Sequence, residues 1–162
     1  MFKGTDRAVF LDKRELEGPI YTQIEEAVDF VLRNIRLGAM IDGLVRKERY
    51  ELPPEAIREM IINAHCHRNL LDETCIQVAI YDDRLEVTSP GGLYNGMTYE
   101  EVMNGHSKIR NKGIANIFSQ MGLVEAWGSG IKRILNAAEE YGLPKPRFQE
   151  FDNMFRVELF RN

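Results

Sequence analysis

The chain has 162 residues, a hydrophobic content of 44% and a formal net charge of -4, values that fit one globular domain and exclude global disorder. The acidic balance excludes a broad electrostatic surface for a nucleic-acid backbone. No apolar run approaches the roughly 20 residues that cross a bilayer, so no membrane partner is expected. Two cysteines, Cys66 and Cys75, and a start without a basic and apolar leader predict a reduced, cytoplasmic protein in which both thiols pack.

The first third of the chain predicts extended chain, one helix and one strand. Residues 2–16 indicate extended chain or one or two short strands. Gly18-Pro19 then opens a helix, because apolar residues recur at intervals of three and four over 20–35, and Gly38 is placed to stop it. Loose alternation over 40–52 predicts one strand with a charged face.

The remaining elements predict the fold class. Alternating apolar runs around a polar turn predict β-hairpins over 75–88 and 147–160. Between the hairpins, apolar stripes predict helices over 114–121 and 131–141, with a shorter helix over 99–103. Strands at both ends of a helical middle are typical of an α+β two-layer sandwich, with helices on one face of a mostly antiparallel sheet.

A helix that begins at Pro53-Pro54 carries a polar edge. Glu59, Asn63 and His67 stand four residues apart, so at about 100° per residue they fall along one edge of the apolar stripe. A carboxylate there could orient a water molecule, and an amide could complete the coordination of Mg²⁺ held mainly by phosphate. Arg68 could pair with phosphate or anchor the helix end. Ordinary amphipathic spacing explains the same pattern, and by itself it is the favoured explanation.

The neighbouring run His65-Cys66-His67 does not predict a metal site. Residues two apart on a helix point away from each other, so the two imidazoles cannot bind one ion together.

Two glycine loops flank regular elements. The first glycine loop is Ser89-Pro90-Gly91-Gly92 and the second is Gly128-Ser129-Gly130. Glycines after a strand let the backbone pass close to a ligand, although a plain turn explains the first loop equally well. The second loop precedes a helix, whose free N–H groups and dipole attract anions. The alternative there is that Ser129 simply caps the helix.

Residues 104–112 lie between the two loops and are polar, basic and poor in apolar anchors. The segment includes Ser107, Arg110 and Asn111. It predicts either a mobile flap over a bound polyanion or an exposed surface loop.

The polar helix edge and the two glycine loops, in this order, resemble the GHKL superfamily of ATPases. Glu59-x-x-x-Asn63 looks like its N-box, and the two glycine loops stand in the places of its glycine boxes. A closer resemblance is to the ATPase-like C-terminal domains of bacterial and archaeal transcriptional regulators with an N-terminal Schlafen/AlbA-type domain, sometimes labelled RecG-like helicases. The stretches that carry it are 59–70, 89–93, 107–111 and 128–131.

The resemblance implies a Bergerat-type sandwich with a flexible lid over bound ATP and Mg²⁺. It assigns residues 1–38 to a linker and helix that follow a missing N-terminal domain, and 39–162 to the GHKL-like ATPase domain. It makes Glu59 the catalytic residue that orients water, and it gives Asn63 a contact to Mg²⁺ only when nucleotide is bound. The nucleotide-binding residues that it implies are Asn63, His67, Arg68, Ser89, Gly91, Gly92, Ser107, Arg110, Asn111, Gly128, Ser129 and Gly130.

The first functional hypothesis is therefore an ATP- and Mg²⁺-binding regulatory module of a transcriptional regulator, which could form a homodimer and reach DNA only through the missing domain. The alternative is a degenerate, non-catalytic dimerisation or protein-interaction module. Ser89 motivates it, since the superfamily has an adenine-recognising aspartate there and losing such a contact costs about 1–3 kcal/mol.

Direct DNA binding is a third hypothesis, and the acidic total disfavours it. The modest basic cluster that would carry it comprises Lys108, Arg110, Lys112, Lys132 and Arg133. A helicase motor is excluded, because the chain has no Gly-x-x-x-x-Gly-Lys-Ser/Thr loop.

Overall fold

The computed structural model describes residues 1–94, 96–106, 108–123 and 129–162, with the backbone alone at Met40. In these residues the elements are α1 (Ile20–Asn34), β1 (Leu37–Asp42), β2 (Val45–Tyr50), α2 (Pro54–His67), β3 (Gln77–Ile80), β4 (Arg84–Pro90), α3 (Tyr99–Met103), α4 (Lys112–Gln120), α5 (Gly130–Glu140), β5 (Arg147–Phe151) and β6 (Met154–Phe160). The predicted α+β class is confirmed. No helix in the described part of the chain is both long and apolar enough to cross a membrane.

The main sheet has four antiparallel strands in the order β3-β4-β6-β5. Register places Val87 of β4 opposite Val157 of β6, which in turn lies opposite Phe148 of β5. These three side chains are buried in the core, so one face of the sheet is apolar. Because alternate residues of a strand share a face, Ser89 lies on this same side, opposite Phe155.

Helix α2 forms the centre of the helical layer. It begins with Pro54 in its first turn, where the missing N–H of proline costs no hydrogen bond. Ile57, Met60 and Ile61 are almost completely buried, and full burial of such a side chain contributes about 1.5–3 kcal/mol. The helix packs against α1 on one side, α5 on the other and β4 below. Its polar edge is thereby held over the sheet.

The opposite face of the sheet carries buried charge. Glu86 and Glu158 are cross-strand neighbours and only 2% exposed. Two carboxylates in that position would repel each other, but Arg84 lies 2.9 Å from Glu86 and 3.5 Å from Glu158. Arg147 pairs with Glu158 and Arg156 lies 3.8 Å from Glu86. The arginines thus compensate the buried acids on this face of the sheet.

The N-terminal segment is extended, as predicted. Phe2 pairs with Phe10 in an isolated antiparallel bridge, and its N–H donates to the Ile80 carbonyl at 2.8 Å. Asp82 donates its N–H to the Gly4 carbonyl at 2.9 Å. The segment therefore lies beside the outer edge of β3.

The structure corrects two predictions near the start of the chain. Helix α1 ends at Asn34, and Gly38, predicted to stop the helix, is a strand residue. The single strand predicted over 40–52 instead contains the end of β1, a turn where Gly43 has φ +63°, and β2, so it folds back on itself as a hairpin. The reason is the Asp42-Gly43 pair, since such a pair favours a tight hairpin turn.

The turn of the β5–β6 hairpin holds two residues in the left-handed region and anchors the first glycine loop. Asp152 has φ 46° and Asn153 has φ 58°, as a tight hairpin turn requires. The Asn153 carbonyl accepts a hydrogen bond from the Gly91 N–H at 2.7 Å.

We predict that Asn153→Val lowers the free energy of unfolding by about 1–2 kcal/mol, because a β-branched residue is strained at positive φ. Asn153→Gly keeps the conformation without strain and should leave stability nearly unchanged. Urea denaturation of both variants checks this, and equal stability of the valine and glycine variants would contradict it.

Candidate functional site

A cleft lies between the apolar face of the sheet and helices α2 and α5, beneath the segment that follows β4. The sheet supplies its floor with Val87, Ser89, Phe148, Phe155 and Val157. The helices supply Met60, Asn63, Ala64, His67, Gly130, Ile131 and Ile134, and the covering segment supplies Gly91, Gly92, Leu93, Tyr94, Met97, Val102, His106 and Lys108. The structure therefore brings together six of the predicted site residues: Asn63, His67, Ser89, Gly91, Gly92 and Gly130.

The interior of the cleft is apolar and its rim is polar. Of its sheet residues only Ser89 is polar, whereas the covering segment contributes His106 and Lys108. None of the described residues that line it is acidic. Such a surface suits a ligand with a flat apolar part and an anionic part.

Gly130, the first residue of α5, lies against α2. A Cβ at Gly130 would lie 2.5 Å from Glu59 Oε1 and 2.6 Å from Asn63 Nδ2, so only glycine fits without displacing one of them. Glu59 is 6% exposed, and its Oε2 lies 3.7 Å from Arg133 Nη1. The polar edge of α2 and the second glycine loop thus meet in space.

The first glycine loop is held by Arg110. The Arg110 Nη2 donates to the Gly92 carbonyl at 2.8 Å, and the guanidinium carbon lies 4.9 Å from the centre of the Tyr94 ring. Gly91 has φ +101°, and a Cβ there would lie 2.9 Å from Asn69 Cβ and 3.1 Å from the Arg110 guanidinium. Glycine is required here by conformation and by space.

Glu150 also holds this loop, and sequence reasoning missed it. Its Oε2 accepts a hydrogen bond from the Leu93 N–H at 3.1 Å, across 57 positions of sequence. A Cβ at Gly92 would lie 2.7 Å from the Glu150 Oε1. No local pattern marks this glutamate, because its contact depends on the pairing of β5 with β6. Tyr94 was missed for a similar reason, since its role depends on the position of Arg110.

Two of the predicted site residues support the end of α2 and do not line the cleft. Asn111 donates from its side chain to the carbonyls of Arg68, at 2.7 Å, and His65, at 3.3 Å. Its N–H also donates to the Cys66 carbonyl at 3.2 Å. These bonds satisfy carbonyls that a helix end leaves without partners. Arg68 donates to the Thr74 carbonyl at 3.2 Å, which matches the helix-anchoring alternative.

Ser129 precedes α5 but does not cap it. Its backbone is helical (φ -78°, ψ -8°), and its side chain accepts no capping hydrogen bond. A capping serine normally has an extended backbone that points its oxygen at the helix N–H groups. The capping alternative is therefore wrong. The predicted site residues Ser107 and Gly128 lie outside the described residues.

The two histidines of α2 favour the neutral form. Burial, with a further contribution from the Arg68 charge, lowers the pKa of His65 to about 4. Burial and the Arg110 charge also lower the pKa of His67. At neutral pH His67 therefore presents a neutral imidazole to the cleft and not a fixed positive charge.

The two cysteines differ in environment. Cys66 is buried, and burial together with the Glu59 charge raises the pKa of its thiol to about 12, so it packs as an uncharged residue. Cys75 is exposed, which corrects the prediction that both thiols pack. That prediction rested on composition alone, which does not locate a residue in the fold.

Residues 73–159 match the family model described as "Putative ATP-dependent DNA helicase recG C-terminal". The fold is also similar to the crystal structure of the DIP2311 protein from Corynebacterium diphtheriae, with a TM-score of 0.89 and 26% sequence identity. The match covers 99% of this chain and 33% of that protein, so this chain spans about a third of its length. No curated protein matches the chain.

We predict that His65 makes the protein less stable as the pH is lowered. Because its pKa is about 6.5 in the unfolded chain and about 4 in the folded protein, the unfolded state binds more protons between these values. Its contribution is fully present above pH 6.5 and is lost as pH falls towards 4, which amounts to roughly 2 kcal/mol between pH 7.5 and pH 5. Urea denaturation at both pH values measures it.

The replacement His65→Gln should flatten this pH dependence, whereas His106→Gln, at an exposed position, should preserve it. A His65→Gln variant that loses stability with falling pH as steeply as the unaltered protein would contradict the assignment.

Proposed function

We propose that this chain, which belongs to the family of RecG C-terminal ATPase-like domains, binds ATP with Mg²⁺ in the cleft and serves as a regulatory module of a cytoplasmic transcriptional regulator. The observation that carries the proposal is the convergence of Asn63, Gly91 and Gly130 on one cleft. These residues come from three separated segments, and each contributes a group suited to a nucleotide.

The polar rim of the cleft is suited to bind a triphosphate. Helix α5 begins at Gly130, so its first N–H groups and the positive end of its dipole lie at the cleft. His106 and Lys108 line the same rim, and Arg110 lies against Gly91. We assign these groups to the phosphates. The apolar depth between sheet and helices would then receive the base.

The residues present fit Mg²⁺ that arrives with the nucleotide. Asn63 offers an amide oxygen, which is a suitable ligand for this ion. The described lining of the cleft contains no carboxylate, and no group of three or more His, Cys, Asp or Glu in the described chain is arranged to hold a metal. The ion would therefore be held mainly by phosphate oxygens, with Asn63 as the protein ligand.

The proposal concerns binding and not turnover. Glu59, the residue expected to orient water, is buried behind Gly130 with Arg133 3.7 Å away. In this arrangement the carboxylate does not belong to the described lining of the cleft. Binding without rapid hydrolysis is the behaviour of a sensor, which fits a regulatory module.

The wider biological setting rests on the resemblance. Residues 1–38 would link the domain to an N-terminal Schlafen/AlbA-type domain, and contacts to DNA would belong to that domain. The net charge of -4 is consistent with this proposal, because an acidic total disfavours binding of this chain to a nucleic-acid backbone. Homodimer formation would bring two such DNA-binding domains together.

We predict that ATP with Mg²⁺ stabilises the protein. A ligand at ten times its Kd adds about 1.4 kcal/mol, which raises the Tm by roughly 3–6 °C for a domain of this size. The replacement Asn63→Ala should remove the part of this shift that depends on Mg²⁺. Asn116→Ala, at an exposed position of α4, is the matched control and should respond like the unaltered chain.

Absence of any shift at millimolar ATP with Mg²⁺ would overturn the proposal. A stable dimer that is indifferent to nucleotide, measured by light scattering, would then favour the dimerisation module.

We also predict that Gly130→Ala weakens ATP binding by about tenfold or more while the domain remains folded. The added methyl group would displace the Asn63 amide, which lines the cleft, or the Glu59 carboxylate beside it, and a lost polar contact costs about 1–3 kcal/mol. Gly113→Ala adds the same group to α4 in open space, so it is the matched control. Calorimetry compares the two variants, and equal affinities would contradict the role of Gly130.

A further inference from the structure

The floor of the cleft suggests how the bound base is selected, an inference that rests on the proposed nucleotide binding. We propose that the site accepts adenine and guanine nucleoside triphosphates with similar affinity, and that Ser89 is the residue that determines this tolerance.

Ser89 is the only polar side chain among the sheet residues that line the cleft. It is 4% exposed and lies opposite Phe155, with Val87 two residues before it on the same face. A planar ring that enters the apolar depth would lie over these side chains. The hydroxyl is then the group of the sheet floor that can form a hydrogen bond with the edge of the ring.

A serine hydroxyl both donates and accepts, and its hydrogen turns to suit the partner. Adenine presents an amine donor at the ring position where guanine presents a carbonyl acceptor. The hydroxyl of Ser89 can therefore accept from the amine or donate to the carbonyl. A carboxylate could only accept, and the described lining of the cleft contains none.

The apolar neighbours add affinity without selecting between the purines. Met60 of α2 and Ile134 of α5 line the cleft together with Val157 and Phe148 of the sheet. Burial against such side chains follows apolar area, and apolar pockets reject compounds of similar shape only weakly. Selection would therefore have to come from polar groups at the edge of the ring, where Ser89 offers no preference.

Calorimetric titration of the full chain with ATP and with GTP, each with Mg²⁺, tests the proposal. The two dissociation constants should agree within about tenfold. Ser89→Asp should shift their ratio towards ATP by about tenfold, because the carboxylate accepts from adenine and repels the guanine carbonyl. Ser119→Asp places the same charge at an exposed position of α4 and should leave the ratio unchanged.

If Ser89→Asp does not fold, Ser89→Ala serves instead, and it should weaken both nucleotides by a similar factor. A preference of the unaltered protein well beyond tenfold, or an alanine variant that changes the ratio, would overturn the role of Ser89 but leave nucleotide binding intact. Failure of both nucleotides to bind would overturn the proposed function and this inference with it.

Discussion

The close approach of α5 to α2 at Gly130 is the constraint on which the cleft depends. Helix α2 is buried on nearly all sides, so it cannot yield, and the first residue of α5 must come within contact distance of Glu59 and Asn63. A side chain at that point would displace the end of the Glu59 or Asn63 side chain. One absent Cβ therefore links the packing of the helical layer to the polar groups near the cleft.

The part of the cleft formed by the first glycine loop depends on contacts with the sheet. In the first glycine loop, Gly91 donates its N–H to the Asn153 carbonyl, and the Gly92 carbonyl accepts from Arg110. Leu93, the next residue, donates its N–H to Glu150. Asn153 and Glu150 both belong to the β5–β6 hairpin. The shape of the loop thus depends on closure of the last hairpin, which joins the end of the chain to the site.

Local patterns predicted the elements well, since apolar periodicity and turn residues act over a few positions. Such signals predicted that helices begin near Ile20 and Pro54. They also predicted the β3–β4 and β5–β6 hairpins. The hairpin at Gly43 was missed although Asp42-Gly43 is a local turn signal, because the described side chains of its strands are mostly exposed and give no regular apolar alternation. Contacts that depend on tertiary packing were beyond reach. Glu150 carries no local mark, and Asn111, assigned to the nucleotide by resemblance, instead supports the end of α2.

The ion pairs on the charged face of the sheet restrict which substitutions this protein can accept during evolution. Glu86 lies near Arg84 and Arg156. Glu158 lies near Arg84 and Arg147, so Arg84 serves both acids. Replacing Arg84 would therefore remove a partner from two carboxylates in a nearly dry place. Substitutions on this surface are therefore expected to occur as coordinated sets, and related chains should show correlated gain and loss of these ionic residues.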